Sequence, residues 1–422
     1  MEKNQEKIYF CIDMKCFFAS VECAERGLNP FTENLIVADS ERGNGTICLA
    51  VSPHMKELGV KNRCRLFQVP KNIDYIIAKP RMKKYIEYAA DIYEIYLRYV
   101  SSEDIHVYSI DEAFLDVTDY LKIYKKNPKE FAKFLMQKIE TETGIPSTVG
   151  IGTNMYLAKI ALDISAKKTA DRMAFLDQEE YKKTLWSHRP ITDFWQIAKG
   201  TANRLAHYGI FDMKGITEIN EKILYKEFGI NAELLIDHAY GIEPCTIADI
   251  KAYKGKTKSI SSSQILFKDY DFENAKTVLL EMVLGGCYNM IKQKLVTKSI
   301  TIIVGYSKNV IEPTSGTIKM IERTNLYSII KKYVERIYDQ TTNKNLPIRK
   351  LTFCFNSLVS ENEEEYDLFT DFFAVKKEKD LSETVIQLKQ KFGKNTVLRA
   401  VDLTKDATAI MRNNQVGGHN GE

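Results

Sequence analysis

The chain has 422 residues, which at roughly 150 residues per domain predicts about three domains. Its composition, 44% hydrophobic and 27% charged with 21 glycines and 10 prolines, excludes disordered, collagen-like and disulfide-stapled chains. The net charge of +4 hides a segregation: residues 251–360 sum to +10, whereas residues 1–250 and 361–422 each sum to −3. Such a basic block favours a surface for nucleic acid, and the alternative is a solvated basic face with no partner.

Cysteine usage and hydropathy further limit the class of protein and its cellular compartment. The eight cysteines form no Cys-x-x-Cys pair and only six histidines are present, so a zinc cluster is not expected. No apolar run approaches the roughly 18 residues that a membrane span needs, and residues 1–7 are polar. We expect a cytoplasmic protein with unpaired thiols and no membrane contact.

The first 170 residues predict an α+β layer, an antiparallel sheet with helices on one face. Predicted strands cover residues 7–13, 47–51, 107–110, 113–117 and 148–151. Predicted helices cover residues 16–26, 82–100, 130–142 and 154–168, and another begins at Ser52-Pro53. The tyrosine stripe of the 82–100 helix is typical of core packing.

The remainder divides at a Lys/Ser/Gly-rich stretch, residues 253–263, which has the composition of a linker. Before it, short helices are predicted at residues 179–185, 201–208, 221–228 and 232–239. After it, strands at residues 264–267, 299–305 and 350–355 alternate with helices at 272–294 and 325–338. A Glu-rich patch at residues 361–365 then opens a tail with one helix near 379–391.

Asp111 and Glu112 stand between two predicted strands, where a two-residue hairpin loop favours Asn-Gly or Asp-Gly. Adjacent anions repel, and a sequence that accepts such a cost often does so at a functional site. Asp13, at the end of the first strand, completes a trio if the strands are neighbours. Oxygen ligands without His or Cys indicate Mg²⁺ or Mn²⁺, and the alternative is a solvated acidic turn.

Three motifs in order carry a family resemblance. Tyr108-Ser-Ile-Asp-Glu-Ala-Phe114 resembles the catalytic hairpin of the Y-family (translesion) DNA polymerases. Asp13-Met-Lys-Cys-Phe-Phe-Ala-Ser-Val-Glu22 resembles the family's first motif, and Thr148-Val-Gly-Ile-Gly152 with Leu157-Ala-Lys159 resembles its third. The Ser52-Pro53 to Gly59-Val60 segment is similar to the UmuC-like (ImpB/MucB/SamB) branch of bacteria and their mobile elements.

The resemblance implies a multidomain α+β architecture. It places a catalytic palm at residues 1–18 and 79–170, small fingers at 19–78, and an all-α, helix-hairpin-helix-like thumb at 171–250. A linker at 251–263, an α+β little finger at 264–357 and a C-terminal tail at 358–422 follow. In the thumb, the expected Gly-x-Gly turn reads Gln196-Ile197-Ala198, and loss of glycine predicts a weaker grip on DNA.

By resemblance, Asp13, Asp111 and Glu112 are the catalytic residues and, with the Met14 carbonyl, hold two Mg²⁺ ions, for which Mn²⁺ is a substitute. Phe18 is the steric gate against the ribose 2′-hydroxyl; its alternative is a core phenylalanine, as for Phe17. The nucleotide-binding set implied is Phe17, Phe18, Lys56 and Lys167. Lys56 stands where some relatives have Arg, whose bidentate fork lysine lacks. Lys159 and Lys167 are predicted near one helix face.

The resemblance implies two further binding segments outside the palm, one for DNA and one for a sliding clamp. The linker lysines are expected to bind backbone phosphates of primer-template DNA: Lys251, Lys254, Lys256 and Lys258. In the tail, Glu365-Tyr-Asp-Leu-Phe369 resembles a sliding-clamp peptide, with Tyr366, Leu368 and Phe369 in contact; the alternative is a hydrophobic staple. The resemblance also implies a nucleoid-associated protein, and it leaves open whether an accessory subunit or a recombinase filament is a further partner.

Taken together, the resemblance implies a DNA-directed DNA polymerase that extends a primer with deoxynucleoside triphosphates across damaged template at low fidelity. One alternative is a catalytically inactive relative that binds DNA and regulates the damage response, although all three carboxylates are present. Another is a nucleotidyl cyclase on a similar palm, which leaves the basic block and the tail peptide unexplained.

Overall fold

The computed structural model describes residues 6–255, 258–307, 310–366 and 370–422. The chain forms two compact units, of which the first ends at Lys254 and the second begins at Gly255. Within the described residues, no helix combines the length and the apolar character that crossing a bilayer requires.

The first unit contains these strands: β1 (Tyr9–Met14), β2 (Leu35–Val37), β3 (Ala50–Val51), β4 (Ile76–Ala78), β5 (Ile105–Val107), β6 (Glu112–Asp116), β7 (Ser147–Gly152) and β8 (Met173–Leu176). Its helices are α1 (Phe17–Ala24), α2 (Pro53–Glu57), α3 (Met82–Leu97), α4 (Tyr120–Ile123), α5 (Pro128–Thr143), α6 (Met155–Ile160), α7 (Gln178–Thr184), α8 (Lys199–Ala206), α9 (Met213–Glu218), α10 (Glu221–Phe228), α11 (Asn231–Tyr240) and α12 (Ile247–Ala252).

The main sheet of the first unit has the order β5-β6-β1-β7-β8. All pairings are antiparallel except that of β7 with β8, which is parallel. Strand β8 of this sheet, Met173–Leu176, falls in the range from residue 171 that was expected for the thumb. Phe10 packs on Phe131 of α5, while its neighbour Cys11 packs with Ala158 of α6. Neighbouring strand residues point to opposite faces, so helices cover both faces where the sequence indicated one.

The segment expected as the fingers forms a small sheet of order β3-β2-β4 beside a core of its own. The predicted strand at 47–51 is reduced to β3, with an isolated bridge between Ile47 and Arg65. Ser52 caps α2 by accepting a hydrogen bond from the Met55 backbone N–H, and Pro53 occupies the first turn. The helix start predicted from Ser52-Pro53 is therefore present.

The region expected as the thumb contains α7 to α12. The apolar faces of α7 to α11 share one core with α6, whereas Ile247 of α12 packs with Cys11 and Phe114 of the sheet. At the expected helix-hairpin-helix turn, Gln196 has a φ of 67° and Ile197 is buried. Gln196 thus takes the left-handed conformation that glycine adopts at lowest cost, so the turn keeps its shape without glycine. Helix α8 begins directly after the turn.

The segment after α6 explains the paired glycines of the third motif. Residues Ala161–Ser165 form a π-helical turn and Ala166–Lys168 a 3₁₀ turn, so the predicted helix 154–168 is continuous but irregular. A Cβ on Gly150 would lie 2.0 Å from the Ala158 carbonyl oxygen, and one on Gly152 would lie 2.2 Å from the Ala158 nitrogen. Glycine is required here because β7 and the helix touch backbone to backbone.

The second unit contains β9 (Ser259–Tyr270), β10 (Leu295–Tyr306), β11 (Thr314–Thr324), β12 (Ile348–Asn356), β13 (Val359–Ser360), β14 (Gln415–Val416) and β15 (His419–Asn420). Its helices are α13 (Phe272–Lys292), α14 (Tyr327–Thr341), α15 (Phe372–Phe392) and α16 (Ala409–Asn413). The antiparallel sheet β11-β10-β12-β9 has α13 and α14 on one face, around the unit's core. Strand β11 was not predicted, and β9 begins at Ser259 inside the expected linker.

The C-terminal residues are part of this second unit rather than a separate tail. Helix α15 is longer than predicted, and Glu378 accepts hydrogen bonds from Ser328 on α14. The buried Glu281 of α13 accepts from the Thr408 backbone N–H and hydroxyl. These contacts give the 407–419 segment a structural role, because it covers a buried carboxylate.

Candidate active site

The three residues with predicted catalytic carboxylates lie where β1 ends and β6 begins. Asp13 and Glu112 lie directly opposite each other in the antiparallel ladder, so their side chains share one face of the sheet. The Met14 backbone N–H donates to the Asp111 carbonyl at 2.9 Å, which fixes Asp111 next to the end of β1. Asp13 is 19% exposed and Glu112 9% exposed. The backbone therefore brings together all four residues that the resemblance implies.

The hairpin that carries Asp111 and Glu112 differs from the expected two-residue loop. Glu112 is the first residue of β6, and the connection from β5 runs through residues 108–111. The backbone N–H groups of Tyr108 and Ser109 both donate to the Glu112 carbonyl. The predicted two-residue loop at Asp111-Glu112 was therefore wrong. The connection has four residues, and such a connection does not require positive φ at these positions.

Two lysines hold the acidic side chains. Lys159 Nζ lies 2.7 Å from Glu112 Oε1 and 3.0 Å from Asp163 Oδ2. Lys167 Nζ lies 2.8 Å from Asp163 Oδ1 and 3.7 Å from Asp13 Oδ1. Sequence reasoning missed Asp163, which links the two lysines at four-residue spacing on either side. The π turn places all three on one face, because its i to i+5 hydrogen bonds add a residue to the turn.

The local charge balance shifts the ionisation of several groups. Burial, assisted by Asp111 and Glu112, raises the pKa of Asp13 to about 6, although Lys167 opposes this. Burial lowers the pKa of Lys167, but Asp13 and Asp163 outweigh it, so that pKa lies above its ordinary value. Burial also raises the pKa of the Cys11 thiol, whose Sγ donates to Glu112 Oε1 at 3.1 Å. The site thus carries negative charge that protein cations only partly balance.

The donor set fits a divalent cation. Asp13, Asp111, Glu112 and the Met14 carbonyl offer only hard oxygen ligands, which Mg²⁺ and Mn²⁺ prefer. Among residues 6–255, 258–307, 310–366 and 370–422, no group of three His, Cys, Asp or Glu side chains is arranged as a metal site. The side chains instead point to local partners, since Glu112 pairs with Lys159 and Asp111 accepts from the Ser109 hydroxyl at 2.7 Å. The ammonium groups of Lys159 and Lys167 lie beside Glu112 and Asp13, which indicates that these carboxylate oxygens are placed to bind positive charge.

The candidate steric gate lies on the first turn of α1. The Phe18 ring is partly exposed and stacks on the Tyr85 ring of α3 at a centroid distance of 4.6 Å and an angle of 19°. Phe17 is 3% exposed, so its side chain belongs to the core. Any contact of Phe17 with a nucleotide therefore involves its backbone N–H, which lies among the unpaired donors of the helix start.

Lys56, on α2 of the fingers, has an exposed side chain and acts electrostatically on the Cys16 thiol at the start of α1. It is thereby placed beside the same end of β1 as Asp13. Arg65, another cation of the same segment, donates to the Gly45 carbonyl at 2.7 Å. Lys56 remains the better placed cation of the two.

The described residues among the predicted DNA and clamp contacts are exposed. Lys251 donates to the Ser102 carbonyl within the first unit, and Lys254 and Lys258 are exposed. Tyr366 is half exposed and packs on Phe372. Lys256, Leu368 and Phe369 lie outside the described residues.

The open face of the second unit's sheet was not predicted from sequence. It carries hydroxyl pairs across the strands, with Ser263 and Thr352 at 2.8 Å and Thr301 and Thr317 at 2.8 Å. Lys319, two residues from Thr317, and Lys350, two residues from Thr352, are exposed on this face. These positions come together through the pairing of the four strands β9, β10, β11 and β12. No local sequence signal could therefore have found them.

Comparison with known proteins agrees with this architecture. A Y-family DNA polymerase chimera (Dbh-Dpo4-Dbh) superposes with a TM-score of 0.63 at 21% identity, covering 84% of this chain and 99% of the chimera. UvrX of Bacillus subtilis strain 168, whose assigned name refers to UV-damage repair, is 32% identical over 98% of this chain and 97% of its own. DNA polymerase IV 2 of the same strain is 30% identical over 98% of this chain and 99% of its own.

The fold is therefore that of the Y-family DNA polymerases. The impB/mucB/samB family model matches residues 12–163 and the model of its C-terminal domain matches residues 257–368. The chain belongs to the impB/mucB/samB family.

Proposed function

We propose that the chain is a DNA-directed DNA polymerase that performs low-fidelity translesion synthesis. The observation that carries the proposal is the pairing of Asp13 with Glu112 across β1 and β6, with the Asp111 backbone bound to Met14. The relatives named DNA polymerase IV support the same activity. The expected domain arrangement, with palm, fingers, thumb and little finger, goes with this proposal.

In the proposed reaction, Asp13, Asp111, Glu112 and the Met14 carbonyl hold two divalent ions. Such ions lower the pKa of a primer 3′-hydroxyl and neutralise the triphosphate and its leaving group. Lys159 orients Glu112 through a buried ion pair, so the carboxylate is positioned before substrate binds. Lys167, beside Asp13, and Lys56, beside Cys16, offer positive charge to the triphosphate.

Sugar selection and DNA holding are assigned to separate surfaces. Phe18 excludes a ribose 2′-hydroxyl by its bulk, and the first turn of α1, with Phe17, offers backbone N–H groups to phosphate. The hydroxyl-rich sheet face with Lys319 and Lys350, together with Lys251, Lys254, Lys256 and Lys258, would hold backbone phosphates regardless of base sequence. A polymerase that reads damaged template needs such sequence-independent contacts.

Clamp docking through Tyr366, Leu368 and Phe369 stays a prediction, as do an accessory subunit, a recombinase filament and a nucleoid location. Glu365, which replaces the usual Gln of the peptide, is paired with Lys298 and lies 3.4 Å from Arg323. Clamp binding would therefore have to compete with these ion pairs.

The decisive experiment is primer extension with dNTPs and Mg²⁺ on intact and lesion-containing templates. We expect extension by the wild type, loss of at least about a thousandfold in rate for Asp111→Ala, and no extension in excess EDTA. Asp119→Asn is the matched control, because Asp119 is exposed and its side chain makes no capping hydrogen bond. DNA binding without extension would favour the regulatory relative, and cyclic nucleotide formed without primer would favour a cyclase.

A further inference from the structure

Behind the candidate steric gate, two residues of α1 contact two residues at the start of α3. Phe18 and Glu22 are four residues apart on α1, and Arg81 and Tyr85 are four residues apart at the start of α3. Residues at this spacing lie on one helix face, so both pairs point into the same interface. Tyr85 sits between the other two groups, with its ring against Phe18 and its hydroxyl on Glu22.

Glu22 anchors the far end of this arrangement. Its side chain is 0% exposed, and it accepts from the Tyr85 hydroxyl at 2.8 Å and from Arg81 at 3.0 and 2.9 Å. Arg26 donates to the same carboxylate. Burial alone raises the pKa of Glu22, but the hydrogen bonds from Arg81, Arg26 and Tyr85 outweigh it, so that pKa lies below its ordinary value. The carboxylate is therefore charged and fully bonded.

The consequence is a rigid surface behind a partly exposed ring. Tyr85 is 0% exposed and is held at both ends, by packing along its ring and by hydrogen bonding at its hydroxyl. Phe18 has one near-parallel stacking partner, Tyr85, while Phe17 meets it tilted at 5.8 Å. If Tyr85 is truncated, the Phe18 ring can turn into the space left behind, because a cavity beside an apolar ring favours its filling.

Building on the proposed polymerase function, we propose that Tyr85, fixed by Glu22, positions the Phe18 ring and so sets how strongly the enzyme rejects ribonucleotides. Tyr85 and Glu22 are positioning residues, since neither is assigned contact with the nucleotide. If the Phe18 ring shifts by a fraction of its width, a ribose 2′-hydroxyl fits beside it. Tyr85, which supports the ring from behind, therefore matters for sugar selection as much as Phe18 itself. The sequence motif contains Phe18 and Glu22 but does not reveal that Tyr85, more than sixty residues later, joins them.

The test measures kcat and KM for one dNTP and the matching rNTP in single-nucleotide primer extension. We expect Tyr85→Ala to lower the dNTP-to-rNTP ratio of kcat/KM by at least about tenfold, chiefly by improving rNTP use. Tyr85→Phe keeps the ring and should stay within about threefold of the wild type. Glu22→Gln, which keeps the shape and loses the charge, should lower the ratio by about threefold and covers the case in which Tyr85→Ala fails to fold.

Two controls separate positioning from general damage. Tyr88→Ala removes a tyrosine one turn along α3 that bonds Glu25 instead of Glu22, and it should leave the ratio unchanged. In a Phe18→Ala background, adding Tyr85→Ala should change the ratio no further, because the effect acts through the Phe18 ring.

The outcomes distinguish this inference from the function on which it rests. Absence of primer extension by the wild type would overturn both. Extension by the wild type with an unchanged ratio in Tyr85→Ala and Glu22→Gln, or an equal effect of Tyr85→Ala with and without Phe18, would overturn the positioning role and leave the polymerase function standing.

Discussion

At the level of single residues, the helix that follows β7 supplies cations to two of the three acids of the candidate site. Lys159 meets Glu112, Lys167 meets Asp13, and Asp163 bridges both lysines, whereas Asp111 accepts from the Ser109 hydroxyl. Burial, together with the neighbouring acids, raises the pKa of Asp13, although Lys167 opposes this. An arrangement of this kind is poised to accept divalent ions and a triphosphate together, since each brings charge that the other balances.

Lys167→Ala tests the triphosphate contact. We expect KM for the incoming dNTP to rise by about tenfold or more with a smaller change in kcat, because a hydrogen bond to a charged group contributes about 1.5–3 kcal/mol. Steady-state primer extension at varied dNTP measures this. Lys168→Ala is the matched control, since Lys168 is the exposed neighbour in the same turn. Equal behaviour of the two variants would remove Lys167 from the role.

Lys159→Met tests the buried ion pair. Glu112 and Lys159 are each 9% exposed, so removing the ammonium leaves a desolvated carboxylate without its partner. We expect a loss of about 3 kcal/mol in the free energy of unfolding in EDTA, measured by urea denaturation. Mg²⁺ should restore part of this loss in the variant and affect the wild type less, because the ion replaces the missing positive charge. A loss that Mg²⁺ does not alter would contradict metal binding at Glu112.

At the level of elements, the contact between β7 and the helix beneath it decides where the lysines point. The strand approaches so closely that Gly150 and Gly152 touch helix backbone, and the helix widens into a π turn directly below. π turns occur often at functional sites, where they realign side chains by one residue. Here the realignment puts Lys159, Asp163 and Lys167 on one face.

Gly150→Ala tests this close approach. The added methyl group would lie 2.0 Å from the Ala158 carbonyl and 2.3 Å from the Leu162 nitrogen, so backbone must move. We expect a loss of about 3 kcal/mol in the free energy of unfolding and a lower extension rate, because the lysines move with the helix.

The control for this change is Gly200→Ala on α8, where an added Cβ meets nothing within 4 Å. That variant should be neutral or more stable by up to about 1 kcal/mol. Similar stability of the two variants in thermal or urea unfolding would show that β7 tolerates side chains at this position.

At the level of the whole molecule, positive charge is concentrated in the second unit, where residues 251–360 carry a net charge of +10. The Glu-rich patch at residues 361–365 neutralises part of this charge, since Glu363 pairs with Arg323 and Glu365 pairs with Lys298. Two further glutamates of the patch, Glu361 and Glu364, pair with Lys379. Lys319 of the open sheet face also acts electrostatically on Glu365 and so adjoins this network.

Salt-dependent DNA binding tests that face. For Lys319→Ala and Lys350→Ala we expect the slope of log K against log salt to fall by about one unit each, because each lysine neutralises about one phosphate. Fluorescence anisotropy on primer-template DNA measures the slope. Lys332→Ala, an exposed lysine on α14 on the other side of the sheet, should leave it unchanged. A change common to all three variants would indicate a general charge effect rather than a binding face.

Much of the fold could be predicted from local patterns, because periodicity and caps are local. Helix α10 lies where it was predicted, and Ser52 caps α2 as expected. Strand β11 and the length of α15 were missed, since both have much exposed surface and owe their form to neighbours. The hairpin before Glu112 was misread because two residues of loop cannot be told from four without the strand register.

The sequence by itself determined the family and the order of its acidic motifs, because short, rare combinations of charged and aromatic residues survive in linear form. Tertiary structure decided which charges meet: Asp13 with Glu112 across two strands, Lys167 with Asp13 through a π turn, and Tyr85 with Phe18 and Glu22 across two helices. These contacts join residues from about sixty to about 150 positions apart in the sequence. Their geometry depends on backbone spacing and burial, which pairing and packing set and no single stretch of chain encodes.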